Sequence, residues 1–308
     1  MSVQAWWGLV KQAGNAWIDD YAPSMGAALA YYTVFSLAPL LLIVIAVAGM
    51  AFGAEAARGE IFGQLNSLMG EDAAKVVQDM LVSVSKPAEG ITAAVVGTVV
   101  LLIGATSVFG ELQDALDRIW RAPARTQVGG LWGLLRARLL SFGMILGLAF
   151  LLMVSLVLGA GMAALGRWWG AWFTDFELVA QVINALLSFA LTSAVFAYIY
   201  KFMPRVRVEW RDVILGAVVT ALLFTLGKTL ISLYIGKTGV ASGYGPAGSL
   251  VVLLVWVYYS AQVFLMGAEF TWVYARTFGS MKGEATPDPS GLRRVPAPSY
   301  PSHGTSVP

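Results

Sequence analysis

The 308 residues contain no cysteine and one histidine, His303. Disulfides, thiolate nucleophiles and cysteine-held metals are therefore excluded, and a histidine metal or acid–base centre has nothing to be built from. Charge is scarce too: Asp, Glu, Lys and Arg make up 12% of the chain, against roughly 25% in an ordinary soluble domain. No charged residue falls between Asp20 and Glu55, between Glu89 and Glu111, between Arg138 and Arg167, or between Glu177 and Lys201. A GxxxxGK[ST] phosphate loop and an HExxH zinc motif are also missing, which removes the common signatures of ATP-driven pumping and zinc hydrolysis.

What is present is hydrophobic, 58% of all residues. A spanning helix needs about 20 apolar residues, and six stretches reach that length. They are 26–52, 91–109, 139–165, 178–200, 213–235 and 249–275. Lys228 alone interrupts the fifth and Glu269 alone the sixth. Runs such as LLLIVIAVAGMAF are apolar on every face, whereas barrel strands alternate. The fold class is therefore all-α: a polytopic membrane protein with six transmembrane helices, plus amphipathic surface helices. The first apolar run follows Asp19 and Asp20. It is too long for a cleaved signal core and reads as a retained span.

Lys and Arg collect in cytoplasmic loops. Lys11, the five arginines from Arg118 to Arg138, the set Lys201, Arg205, Arg207 and Arg211, and the tail residues Arg276, Lys282, Arg293 and Arg294 lie on one side. Arg58, Lys75, Lys86, Arg167 and Lys237 lie on the other. The larger set contains 14 of the 20 basic residues, which places both termini in the cytoplasm.

The 1–25 segment carries Trp6, Trp7, Trp17 and Tyr21 at helical spacing, as in an interfacial helix. Residues 26–278 form the membrane domain. Within it, 55–86 holds two apolar stripes, Ile61, Phe62, Leu65, Leu68 and Met69, then Val76, Val77, Met80, Leu81 and Val84. These predict two amphipathic helices on the outer surface, broken near Gly70. Pro39 inside the first span predicts a kink. Gly143 and Gly147, then Ser155 and Gly159, have the spacing of close helix contacts. The stretch 236–249, with Gly245 and Pro246, is an outer loop or a re-entrant hinge. The Pro-, Ser- and Thr-rich 279–308 reads as a disordered cytoplasmic tail.

Polar residues within spans are the functional candidates. Asn184 and Ser188 share a stripe with Gln181 and Thr192; Thr225, Lys228 and Ser232 share another with Thr229; Tyr259, Gln262 and Glu269 share a third. A common polar interior and interhelical packing both produce this pattern. Lys228 either supplies the positive charge of an anion cavity or snorkels to the outer surface. Glu269 and Glu111 each fall 20 residues into their stretch, near about 30 Å and hence the cytoplasmic interface. Asp114, Arg118 and Arg276 lie close in sequence and complete a candidate set of gate or ion-pair residues. No cofactor or metal set is expected. The basic loops lack interleaved aromatics for stacking bases, so nucleic acid is not an expected partner.

Four blocks, DDYAPSMGAALAYYTVFSLAPLLL from Asp19, GELQDALDRIWRAP from Gly110, FMPRVRVEWRDVILGA from Phe202 and YGPAGSLVVLLVWVYYSAQVFLMGAEFTWVYA from Tyr244, resemble the YihY/BrkB family of bacterial inner-membrane proteins. The matching positions are Tyr31, Tyr32, Ser36, Pro39, Glu111, Asp114, Arg118, Trp120, Pro204, Gly245, Pro246, Glu269 and Arg276. The resemblance implies six helices with both termini inside. It also implies a link to envelope integrity, serum resistance, or transport of organic anions or lipid-like molecules. A ribonuclease label has been attached to such proteins, but this chain lacks the residues for a metal-assisted nuclease. No catalytic residue carries over, so the expectation is a non-enzyme. The leading expectation is a secondary transporter or exporter of a small organic anion or amphipathic envelope molecule. The alternative is a scaffold that organises lipid or envelope partners.

The cysteine-free sequence makes the topology directly testable. In intact cells a membrane-impermeant maleimide should label Ser83→Cys and leave Ser290→Cys unlabelled until the cells are opened.

Overall fold

The computed structural model describes residues 3–84, 91–123, 176–238 and 247–283, with 143, 147, 150, 154, 161 and 244 as single positions. Eight helices account for nearly all of these residues, and no strand occurs among them. Four stretches among the described residues are long and apolar enough to cross a membrane: Ala22–Met50, Ala185–Phe202, Trp210–Ile231 and Gly248–Thr277. The expected third span, 139–165, lies outside the described residues except for its single positions. So do Gly245, Pro246 and the tail from residue 284.

Helix α1 (Val3–Asp19) docks on the last helix. Leu9 and Ala13 are buried against Phe270 and Val273, and the Trp6 ring stacks on Phe270 at 6.0 Å. Trp7, Val10 and Ile18 face outward, an arrangement suited to an interfacial helix. Tyr21 adopts a left-handed conformation, φ 57° and ψ 38°, and turns the chain into α2 (Ala22–Phe52). Pro23 sits in the first turn of α2, where its missing N–H costs no bond.

α2 continues through Pro39 to Phe52. The proline ring packs on Gly104 of α5 (Ile91–Ile119), where a Cβ would come within 3.2 Å of it. One turn away Ser36 and Ser107 share a 2.9 Å hydrogen bond between α2 and α5. Gly53 and Gly70, with φ 87° and 83°, adopt conformations that L side chains rarely take, and they separate α3 (Ala54–Met69) and α4 (Glu71–Val84) from their neighbours. Both helices fold back over the bundle: Met69, Ala73 and Val77 are buried with Ile231, Val252, Leu253 and Trp256. This is the lid end.

α6 (Phe176–Phe202), α7 (Trp210–Thr238) and α8 (Gly248–Thr277) pack in series, with α7 between the other two. α8 also packs along α2. Lipid gives helices no hydrophobic reason to associate, so close packing must hold them. The α7–α8 seam is reciprocal. Gly216 of α7 receives Thr271 of α8, and Gly267 of α8 receives Thr220 of α7; a methyl group at either glycine would overlap the threonine hydroxyl. Each hydroxyl donates to its own helix, Thr220 to Gly216 at 2.7 Å and Thr271 to Gly267 at 2.6 Å. Higher up, Gly227 makes room for the Tyr259 hydroxyl. Of the expected Gly143–Gly147 pair, Gly147 lies against the Tyr198 ring of α6, while a Cβ at Gly143 would meet nothing within 4 Å among the described residues.

Gly267→Ala should lower the stability of the purified protein by about 1–3 kcal/mol, the usual cost of overpacking. Thermal unfolding in detergent checks this. Gly8→Ala, where a Cβ meets nothing within 4 Å, is the silent control.

Candidate functional site

The ends of α5, α6 and α8, the start of α7 and the α1–α2 turn converge on one end of the bundle, the basic end. Their apolar residues, among them Leu116, Ile119, Tyr200, Val213 and Leu265, are fully buried. Four carboxylates are buried with them: Asp20, Asp117, Asp212 and Glu269. A buried ionised group is stable only when it is paired or hydrogen-bonded, and three of the four are.

Asp117, near the end of α5, accepts the backbone N–H of Arg205 at 2.8 Å and the Nε–H of the same arginine. Gln113, one turn earlier, donates to the Met203 carbonyl at 3.1 Å. These bonds clamp α5 to the chain leaving α6. Asp212, in the first turn of α7, accepts from the Ser280 N–H at 3.0 Å and the Ser280 hydroxyl at 2.6 Å, fixing the turn beyond α8. Asp20 pairs with Arg121 at 2.6 Å, joining the α1–α2 turn to the turn after α5. Lys201 donates to the Val208 carbonyl and stands 5.4 Å from the Trp210 ring centroid. Tyr200 donates to the Phe264 carbonyl at 2.7 Å and lies 3.1 Å from the Thr220 hydroxyl, tying α6, α7 and α8 together.

Glu269 is fully buried, and among the described residues neither of its carboxylate oxygens has a hydrogen-bond donor. It faces Asp20, Arg121 and Asp19. The second oxygen of Asp20 and the Gln262 Oε1 also lack donors. Glu269 was expected among headgroups at the interface; protein surrounds it instead.

The other expected gate residues are dispersed. Glu111 is half-buried; burial raises its carboxyl above the ordinary value and the Asp114 charge adds to that. Arg118 is exposed and lies 5.8 Å from the Tyr21 ring centroid. The loop arginine that reaches a carboxylate is Arg121, and its partner is Asp20. Arg276 and Arg121 both stand over the Trp272 ring, at 5.5 and 5.4 Å.

The three polar stripes do not meet in one chamber among the described residues. Ser188 and Thr225 are exposed, and the hydroxyls of Thr192, Thr225 and Ser260 bond carbonyls of their own helices. Such back-bonding is what an apolar medium demands of a hydroxyl. Lys228 is half-buried on α7. Gln262 instead points to the start of α2, its Nε2 lying 3.5 Å from the Ala22 carbonyl and against Gly26. The side chains of Asn184 and Ser232 lie outside the described residues. Asp20, Asp117, Asp212 and Tyr200 were not among the sequence candidates, because each falls at the edge of an apolar stretch.

Apolar helices closed at one end by buried carboxylates define an integral membrane protein of the all-α class. The chain belongs to the BrkB family: residues 15–290 match the family described as virulence factor BrkB. A UPF0761 membrane protein of Pseudomonas aeruginosa strain LESB58 is 29% identical over 268 residues, 82% of this chain and 59% of the relative. UPF0761 membrane proteins of Tolumonas auensis and Pseudoalteromonas translucida are each 28% identical, covering 85% and 86% of this chain and 85% and 84% of their own. The chain thus spans a little under three-fifths of the Pseudomonas relative and most of the other two. No solved structure matches it.

Asp117→Ala should cost about 2–3 kcal/mol of stability, since it removes hydrogen bonds involving a charged group. Arg205→Ala should cost less, its side chain being 35% exposed and its charge screened. Chemical denaturation of both variants in mild detergent gives the comparison.

Proposed function

We propose that the chain is a secondary transporter or exporter of a small organic anion or an amphipathic envelope molecule. It acts in the bacterial inner membrane with its basic end in the cytoplasm and carries out no covalent chemistry. The observation that carries this is Lys228: a half-buried cation on a membrane helix, with no ion pair to it among the described residues. A charge in a span is costly and marks a ligand path unless it is compensated. The lid end supports the same reading, because α3 and α4 cover the outer ends of α2, α7 and α8. An amphipathic substrate would cross there between lipid and water. The bilayer is the standing partner, and nucleic acid is not an expected one.

One observation favours the scaffold reading instead. The span hydroxyls of Thr192, Thr225 and Ser260 satisfy their own helices, as in packing surfaces rather than a wet cavity.

A thermal-shift screen against dicarboxylates, other organic anions and phospholipid headgroups separates the two. A ligand at 100 times its dissociation constant should add about 2.7 kcal/mol. Lys228→Ala should abolish that shift, and flux into liposomes, while the protein still folds. Stabilisation by lipids alone, unchanged in Lys228→Ala but lost on polar substitution at Leu65 or Met80, would sink the transporter in favour of the scaffold.

A further inference from the structure

Glu269 breaks the rule that the other three collar carboxylates obey. Asp117, Asp212 and Asp20 each accept at least one hydrogen bond; Glu269 accepts none and is wholly buried. Arg121 brings Asp20 to it: the arginine bonds Asp20 and stands over Trp272, one turn along α8 from Glu269, and the free Asp20 oxygen has no donor among the described residues. Two ionised carboxylates cannot bond each other, because both only accept. Their charges repel, and burial removes the water that would screen them.

Charge counting points the same way. The cation facing Glu269 is Arg121, already bonded to the other Asp20 oxygen. Asp19 is exposed to solvent, so two buried carboxylates stand against one guanidinium and leave one negative charge in a buried place. The missing species is one positive charge that also supplies a donor. A proton on the Glu269 carboxyl group does both: it makes an O–H that Asp20 can accept, and the buried pair is then balanced by Arg121.

We propose that Asp20 and Glu269 form a proton-binding site, holding one proton between them at neutral pH, with Arg121 balancing the remaining charge. The proton is taken from water at the basic end and returned there. Asp19 and Arg121 face the site, and the other charged or titratable groups on the elements packed around it have partners of their own. α1 contributes Asp19, and the turn after α5 contributes Arg121. The end of α5 contributes Arg118, over Tyr21, and α8 itself contributes Arg276, over Trp272. α7 contributes Asp212, occupied by Ser280, and α6 contributes Tyr200, bonded to α8. α4 meets only the other end of α8. The site does not depend on the chain transporting anything.

The sign of the pH dependence follows. At neutral pH the folded protein holds a proton that the unfolded chain has released, so stability falls as pH rises. The folded-to-unfolded ratio should drop up to about tenfold per pH unit between neutral and alkaline conditions. Glu269→Gln, whose amide donates permanently, should lose that slope. Infrared spectra of the full-length protein in detergent, which need no unfolding, should show a protonated carboxyl C=O stretch at neutral pH that disappears in Glu269→Gln. The absence of that band in the native protein would overturn the site, as would an identical pH slope in both proteins. Stabilisation by added sodium at fixed pH, lost in Glu269→Gln, would assign the place to an alkali cation instead and overturn the proton.

Discussion

Everything in this molecule follows from a medium that offers polar groups no partner. In lipid the backbone must bond itself, which is why the described chain is helix almost throughout. Side-chain hydroxyls obey the same rule, and Thr192, Thr220, Thr225, Ser260 and Thr271 all turn back to the carbonyl four residues earlier. The buried carboxylates gather at one end, where the chain can supply donors from loops and helix termini. The collar of Asp20, Asp117 and Asp212 is thus more than decoration. Each aspartate is the point at which one element of the bundle is pinned to a segment distant in sequence.

That division explains what the sequence made legible. Apolar length and charge spacing are one-dimensional signals, so the all-helical membrane fold could be read directly, whereas α5 runs ten residues past the expected 91–109 stretch. The break between α3 and α4 was visible because Gly70 interrupts two apolar stripes. The placing of α3 and α4 over α2, α7 and α8 was not, since a stripe says that a helix has a partner without saying which. α1 likewise announced its tryptophans, but its docking on α8 rests on Leu9 and Ala13, two unremarkable residues in the sequence.

The site was harder to read for a specific reason. Counting along a helix gives depth in the membrane but not which neighbour stands opposite. Glu269 lies sealed in protein, because Phe270 and Val273 bring α1 across it and the α1–α2 turn delivers Asp20. The collar aspartates sit where apolar runs stop, a position ordinarily dismissed as the solvated end of a span. Tyr200 and Thr220 were hidden by their company. The useful signal was the pairing of glycine and threonine four residues apart on both α7 and α8, with the chain directions opposed.

The interlocked glycine–threonine seam has a mechanical consequence. Plain leucine and valine surfaces can shear past one another at little cost, because one apolar neighbour is as good as the next. A side chain lodged in a notch that only glycine leaves open has no second resting place within a helical turn. α7 and α8 therefore travel together, and whatever this bundle does when it changes shape is borne by the contacts on either side of that pair.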